Sequence, residues 1–321
     1  MKRRFFLGSV AASLAFNVSS RTIRSEVGRV PAKYTMDLCP GRIGVKVDQR
    51  QAIALAHRYG FQSVEPIGLF LATLDSSEIG ELRGVLKEKN LVWGCANLDV
   101  NFRSDESEFQ SGLRSLPAIA SGFQRAGVSR VGKSLSPSSD DLTYLANFKQ
   151  HSIRLREIAK ILGDYGIRFG LEYVGPKTSW ASKKHAFVHS MAETKELILA
   201  TGAPNVGIVL DSWHWYCAAE TIDDLMTLKN QDIVAVDLND APSGIERDKQ
   251  IDNRRELPMA TNVIDVRGFI EALDKLDYDG PIRAEPFNQS LNAMENDEAV
   301  KFTADAMNRA LLTRVDTDSP R

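Results

Sequence analysis

Short apolar and β-branched runs alternate with longer stretches whose apolar residues recur three or four apart, from about residue 34 to residue 312. The short runs are residues 34–38 (YTMDL), 63–67 (SVEPI), 91–97 (LVWGCAN), 129–133 (SRVGK), 168–173 (RFGLEY), 207–211 (GIVLD), 233–238 (IVAVDL) and 281–285 (PIRAE). Each has the length and composition of a buried strand. The intervening stretches 51–59, 78–89, 109–126, 142–165, 191–200, 223–229, 266–276 and 298–312 have helical spacing, as Ile79, Leu82 and Leu86 illustrate. Gly60, Gly127, Gly166, Gly202 and Gly280 each follow a helical run and precede a strand, where a left-handed C-terminal cap is expected. Eight strand–helix units predict an α/β chain with parallel strands and right-handed crossovers. In roughly 285 residues they close as a single (β/α)8 barrel, taken here as residues 31–315, with 316–321 as a tail. An open doubly wound sheet is the competing architecture, but no G-x-G-x-x-G opens the first helix.

Chemistry is concentrated where strands five to eight end. Glu172, Asp211, Asp237 and Glu285 each close an apolar run, so their carboxylates are expected on the catalytic face of the barrel. Carboxylates crowded there repel one another and are costly to desolvate. A divalent cation relieves both costs, and an all-oxygen donor set suits Mn²⁺ or Mg²⁺, with Co²⁺ as a third candidate. Arg168 and Arg283 share a strand face with Glu172 and Glu285 but sit deeper. Pairing with them would leave Asp211 and Asp237 without partners. His214, three residues after Asp211, is expected to turn back toward the same face, and its neighbours Trp213, Trp215 and Tyr216 are candidates for stacking on a sugar ring. The long polar loop from Ala241 to Val263 carries Arg254 and Arg255, either of which could bind a substrate oxygen. Glu65 on strand two and Lys133 on strand four also point to the barrel mouth by position.

Composition narrows the partners. The 321 residues carry 40 basic and 42 acidic side chains, a net charge of −2, which gives no basic field for non-specific nucleic-acid binding. Three scattered cysteines, Cys39, Cys95 and Cys217, form no C-x-x-C pair and imply neither a disulfide framework nor a zinc knuckle. Residues 1–30 are set apart as a leader. Arg3-Arg4-Phe5-Phe6-Leu7 and the apolar segment to Phe16 resemble a twin-arginine export signal, which implies a periplasmic or otherwise exported protein, with a cytoplasmic one as the alternative. No later stretch is long and apolar enough to span a membrane.

The motifs G-L-E-Y, V-L-D-S-W-H, V-D-L-N-D, R-R-E-L-P and A-E-P-F, in this order, resemble the xylose isomerase-like TIM-barrel superfamily. That group holds sugar isomerases, ketose 3-epimerases, inosose dehydratases and endonuclease IV-type nucleases. The resemblance covers about residues 34–312 and is strongest over 168–288. It implies Glu, Asp, His and Glu on strands five to eight binding one divalent metal. Glu172, Asp211 and Glu285 match, whereas the strand-seven position reads Asp237, which adds negative charge and favours harder cations. By the same resemblance, Glu172 and Glu285 exchange a proton with the substrate carbon, and His214 and Arg255 contact substrate oxygens. The resulting expectation is a metal-dependent ketose or polyol isomerase or epimerase working through an enediolate on a small sugar. The alternatives are a lyase or dehydratase acting on a keto sugar or inosose at the same site, and a non-catalytic sugar-binding protein. A nuclease is disfavoured by the net charge and by only five histidines. A homo-oligomer is expected by analogy alone.

Overall fold

The computed structural model describes residues 33–312. The expected leader and tail lie outside these residues. The eight barrel strands are β1 (Thr35–Leu38), β2 (Ser63–Val64), β3 (Val92–Trp93, resumed at Ala96–Asn97), β4 (Arg130–Ser134), β5 (Arg168–Glu172), β6 (Val206–Asp211), β7 (Ile233–Leu238) and β8 (Pro281–Ala284). The outer helices are α1 (Gln49–Arg58), α2 (Ser76–Glu88), α3 (Glu106–Ala126), α4 (Tyr144–Asp164), α5 (Met191–Thr201), α6 (Ile222–Leu225), α7 (Val266–Lys275) and α8 (Asn296–Leu312). All pairings between these strands are parallel.

The barrel closes through β3. Its first half pairs with β2 (Ser63 with Val92) and its second half with β4 (Ala96 with Val131), so the two ends of the sheet are one interrupted strand. Residue 94, at the interruption, has to be glycine for a steric reason. A β-carbon on Gly94 would lie 2.1 Å from both carboxylate oxygens of the buried Asp37 on β1. Gly94→Ala is therefore expected to destabilise the fold by about 1–3 kcal/mol, as overpacking of a rigid core does. The urea midpoint measures it, and an unchanged midpoint would mean that Asp37 swings away without cost.

Local chemistry explains the helix boundaries. Asp48 with Gln51, and Asp75 with Glu78, form reciprocal capping boxes at the starts of α1 and α2. Thr143 and Ser190 cap α4 and α5. Gly60, Gly127, Gly166 and Gly202 take positive φ as expected, but Gly280 does not, and Asp277 (φ 55°) makes that turn instead. Two elements are shorter than their patterns suggest. β2 stops at Val64 because Pro66 has no N–H to give the sheet, and the Ile67 N–H turns to the Gln49 side chain (2.6 Å). α6 spans four residues because the chain tightens into i→i−3 bonds, such as Leu228 N–H to the Leu225 carbonyl (3.0 Å).

The core lies between barrel and helices, and every residue of β7 is buried. The three cysteines are free and buried. Among the described residues no helix is long and apolar enough to cross a membrane.

Candidate active site

Parallel strands deliver their C-terminal residues to one face of the barrel, and the four expected carboxylates meet there. Glu172 ends β5, Asp211 ends β6, Asp237 is the penultimate residue of β7, and Glu285 directly follows β8. One oxygen from each lies within 4.8 Å of the others, and all four residues are buried. Glu172, Asp211 and His214 form a second, overlapping group of the same compactness.

Three arginines enter this cluster. Arg283 stands directly across from Asp237 in the β7–β8 register, and its Nε and Nη2 donate to the two Asp237 oxygens at 2.5 and 3.1 Å. Arg255 reaches in from the long loop, with Nη1 donating to Asp211 (2.8 Å) and Glu285 (3.1 Å) and Nη2 to Asp252 (2.6 Å). Arg42, on the turn Pro40–Ile43 after β1, is ion-paired with Glu285 and lies 3.6 Å from Asp237. The expectation that arginine pairing would leave Asp211 and Asp237 unpartnered is thus corrected. Both are paired, one across a strand register and one by a distant loop. Arg168 serves neither, since its Nη2 donates to the carbonyls of Gln231 and Ile233.

The V-D-L-N-D segment divides its labour by strand alternation. Asp237 faces inward to Arg283. Two residues on, the Asn239 amide donates to both Asp211 oxygens (3.1 and 3.3 Å) and accepts the Glu285 N–H (2.9 Å). Asp240 accepts the N–H groups of Thr261, Asn262 and Ile264 and pairs with Glu256 through a backbone bridge. That pins the loop which carries Asp252 and Arg255. The Arg255 guanidinium lies between the rings of Trp213 (5.6 Å) and Phe287 (4.8 Å).

Burial and these partners separate the four acids. Desolvation, followed by the neighbouring Asp237 charge, pushes Glu172 up to about 8. Desolvation acts on Asp237 too, but Arg283 and Arg42 outweigh it and hold that carboxyl at about 2. Burial lowers His214 against the pull of Asp211 and favours neutral imidazole. It raises Asp37, level with Arg283 in the β1–β8 register, to about 7.

The other expected residues are placed as follows. His214 is buried, with Nε2 3.9 Å from oxygens of Glu172, Asp211 and Asp252 and Nδ1 accepting the Gly175 N–H (3.3 Å). Gly175 has to be small, since a β-carbon would meet the His214 carbonyl at 2.4 Å. Trp213 has no exposed surface, so it packs beneath Arg255 instead of offering a free stacking face. Trp215 is core as well, edge-on to Phe269. Tyr216 lies under Arg247. Lys133 is half-buried and donates to the Leu98 carbonyl (2.9 Å), while Glu65 is partly exposed after β2 and is not one of the grouped carboxylates. Arg254 is exposed. Sequence reasoning missed Arg42, Asn239, Asp240, Asp252 and Phe287. Alternation from Asp237 could have found Asn239, whereas nothing local marks Arg42 or Asp252.

A family model described as xylose isomerase-like TIM barrel matches residues 53–309. Among curated proteins, the chain is similar to inosose isomerases of Halalkalibacterium halodurans (25% identical over 154 residues, 47% of this chain and 50% of that one) and Bacillus subtilis (25% over 162 residues, 48% and 54%). It therefore spans about half the length of the curated relatives it matches. Among solved structures, a xylose isomerase domain protein from Alicyclobacillus acidocaldarius superposes with a TM-score of 0.76 at 28% identity, covering 87% of this chain and 98% of that one. Two others share the fold: an IolI protein described with a bound zinc atom (TM-score 0.71, 17% identity, 86% and 98% covered), and a D-psicose 3-epimerase (0.62, 15%, 83% and 94%). The carboxylate–histidine cluster has the donor types of a divalent-metal site.

Whether these donors can take a divalent ion depends on how their charge is already met. Asp211 is occupied by the Trp213 N–H (2.6 Å), Asn239 and Arg255. Asp237 is occupied by Arg283, and Glu285 by Arg255 and Arg42. Of the four, Glu172 alone has a buried oxygen, Oε1, with no partner. As paired here, the four-carboxylate set does not fit a divalent ion, because three of its members are already neutralised by guanidinium groups.

Proposed function

The chain belongs to the xylose isomerase-like TIM-barrel family, and on that premise we propose that it is a sugar- or polyol-directed isomerase or epimerase that moves a proton at a carbon next to a carbonyl. One observation carries the reading. Glu172 is a buried carboxyl with an unpartnered oxygen, pushed up to about 8, set among guanidinium groups. A carboxyl poised near neutral pH both accepts and returns a proton. Arg255 and Arg42 supply donors where negative charge would gather on the oxygens of an enediolate. Glu285 lies across the cluster as the second expected proton carrier. No step is assigned to Mn²⁺, Mg²⁺ or Co²⁺, since the paired donors do not fit one.

A polar cavity of about 380 Å³ opens beside Asp252, lined by Arg103, Ser134, Ser138, Ser182 and Lys183 among others. Its hydroxyl-rich wall suits a polyhydroxylated ligand. A lyase or dehydratase is the second reading, and a specific asymmetry favours it. Glu285 is bound by two arginines, which leaves one unencumbered base, and elimination needs only one face of the substrate to be deprotonated. The inosose isomerase relatives and the psicose epimerase neighbour support the first reading.

Ketoses, keto sugars and inososes incubated in deuterium oxide test both. Proton NMR is expected to show exchange at the carbon beside the carbonyl with mass otherwise conserved, whereas elimination would give an unsaturated product. If no compound exchanges and yet some bind, the protein is a sugar-binding module. The pH profile has a definite sign. Since Glu172 acts ionised, kcat/KM is expected to rise with pH and level off above about 8. A profile already flat at neutral pH would remove Glu172 from the role of base.

A further inference from the structure

We infer that arginine has taken the place of the divalent cation in this chain: Arg42, Arg255 and Arg283 hold the strand-end carboxylates together, and the protein folds and binds ligand without a resident metal ion. The inference rests on the location of the site proposed above but not on its reaction.

A metal ion organises carboxylates by bridging them. Here guanidinium nitrogens do the bridging. Arg255 Nη1 joins Asp211 to Glu285, at 2.8 and 3.1 Å. Arg42 Nη1 joins Glu285 to Asp237. Arg283 takes both oxygens of Asp237 and anchors its remaining nitrogen on the Cys95 carbonyl (3.2 Å). Each of these three acids also gives an oxygen to the group that converges within 4.8 Å. The chain of bridges runs Asp211, Arg255, Glu285, Arg42, Asp237, Arg283, with acids and bases alternating.

The charges are set in the same way. Three guanidinium cations face Asp211, Asp237 and Glu285, with Arg255 shared with Asp252, and Glu172 is left over with a free oxygen. A dication placed among them would face three fixed positive charges at short range. Displacing them is costly. Arg283 is 1% exposed and held in the barrel, and Arg255, 2% exposed, is sandwiched between two rings and tied to Asp252. Arginine suits this post because it stays charged in any buried setting and its planar fork fits carboxylates two at a time. The strand-seven residue completes the argument: a neutral histidine there would leave Arg283 an unpaired buried cation, whereas Asp237 pairs with it in register.

The test is metal analysis of the purified full chain after dialysis against Zn²⁺, Mn²⁺, Mg²⁺ and Co²⁺ in turn, with melting temperatures in each ion and in EDTA. The expected result is substoichiometric metal and a melting temperature that neither ions nor chelator moves. One tightly held ion per chain, with a melting temperature lowered by EDTA, would overturn the inference whatever the activity shows. Arg42→Gln tests the cause, because Arg42 is the most exposed of the three arginines, with 19% of its side chain accessible. Removing this one cation is expected to strengthen residual Zn²⁺ binding by on the order of tenfold or more. An unchanged Zn²⁺ affinity in the folded variant would overturn the assignment of metal exclusion to the guanidinium groups.

Discussion

Arg283→Met is expected to destabilise the protein by about 3–5 kcal/mol, the cost of removing one partner from a buried ion pair. Asp237 has no exposed surface, and Arg283 satisfies both of its oxygens. With the guanidinium gone, an ionised carboxylate is left in the barrel with only Arg42, 3.6 Å away, to oppose it. The loss of packing is small because methionine fills much of the arginine stem. The loss of charge balance is therefore the main effect. Asp237→Asn in the same chain is expected to return most of the stability, since it removes the stranded charge. Urea denaturation of the single and double variants measures both. A single variant within about 1 kcal/mol of wild type would place the pair in solvent-like surroundings and contradict its burial.

Glu172→Gln is expected to lower kcat by about 10²- to 10⁴-fold, the range lost when a general base is removed, with little change in ligand affinity. The same substitution has a thermodynamic signature of opposite sign. The folded-state pKa of Glu172 is raised from 4.5 to about 8, so the folded chain binds more protons than the unfolded one between those values. Wild-type stability drawn from this group is full below pH 4.5 and is lost as pH rises toward about 8. Glutamine does not titrate. The variant should therefore gain on the wild type as pH rises through that window, becoming relatively more stable as well as inactive. Melting curves across the window with turnover measured in parallel separate the outcomes. A variant that loses activity and stability together at high pH would mean that Glu172 is a structural partner and not a strained base.

Two features of the arrangement link these predictions. The barrel holds Asp211, Asp237 and Glu285 in fixed ion pairs, and it leaves Glu172 unpaired at the same depth. Rigid charge around one free base is what proton transfer at a carbon acid calls for, because the donors need no rearrangement when charge develops.

What the sequence determined is what short-range physics governs. Apolar periodicity set the eight strands and eight helices, and the strand ends set the four carboxylates on one face, because side-chain direction in a parallel barrel follows from position along each strand. The sequence also turned His214 toward that face, whereas Arg255 was singled out from Arg254 only by the family resemblance. Sequence failed where the partner lies far away in the chain. That Asp237 meets Arg283 depends on the β7–β8 register, 46 residues apart. That Asp211 meets Arg255 depends on Asp240 pinning a long loop, and that Glu285 meets Arg42 depends on barrel closure bringing β1 beside β8. Trp213 shows the same limit, since a strand-end aromatic reads as a ligand platform until its burial beneath Arg255 is seen. Four acids in a row on the strand ends ask for positive charge, and the sequence states that need. Whether a metal ion or an arginine answers it is decided by which cations the closed barrel brings within reach, since Coulomb energy depends on distance and burial, and neither is written in the order of residues.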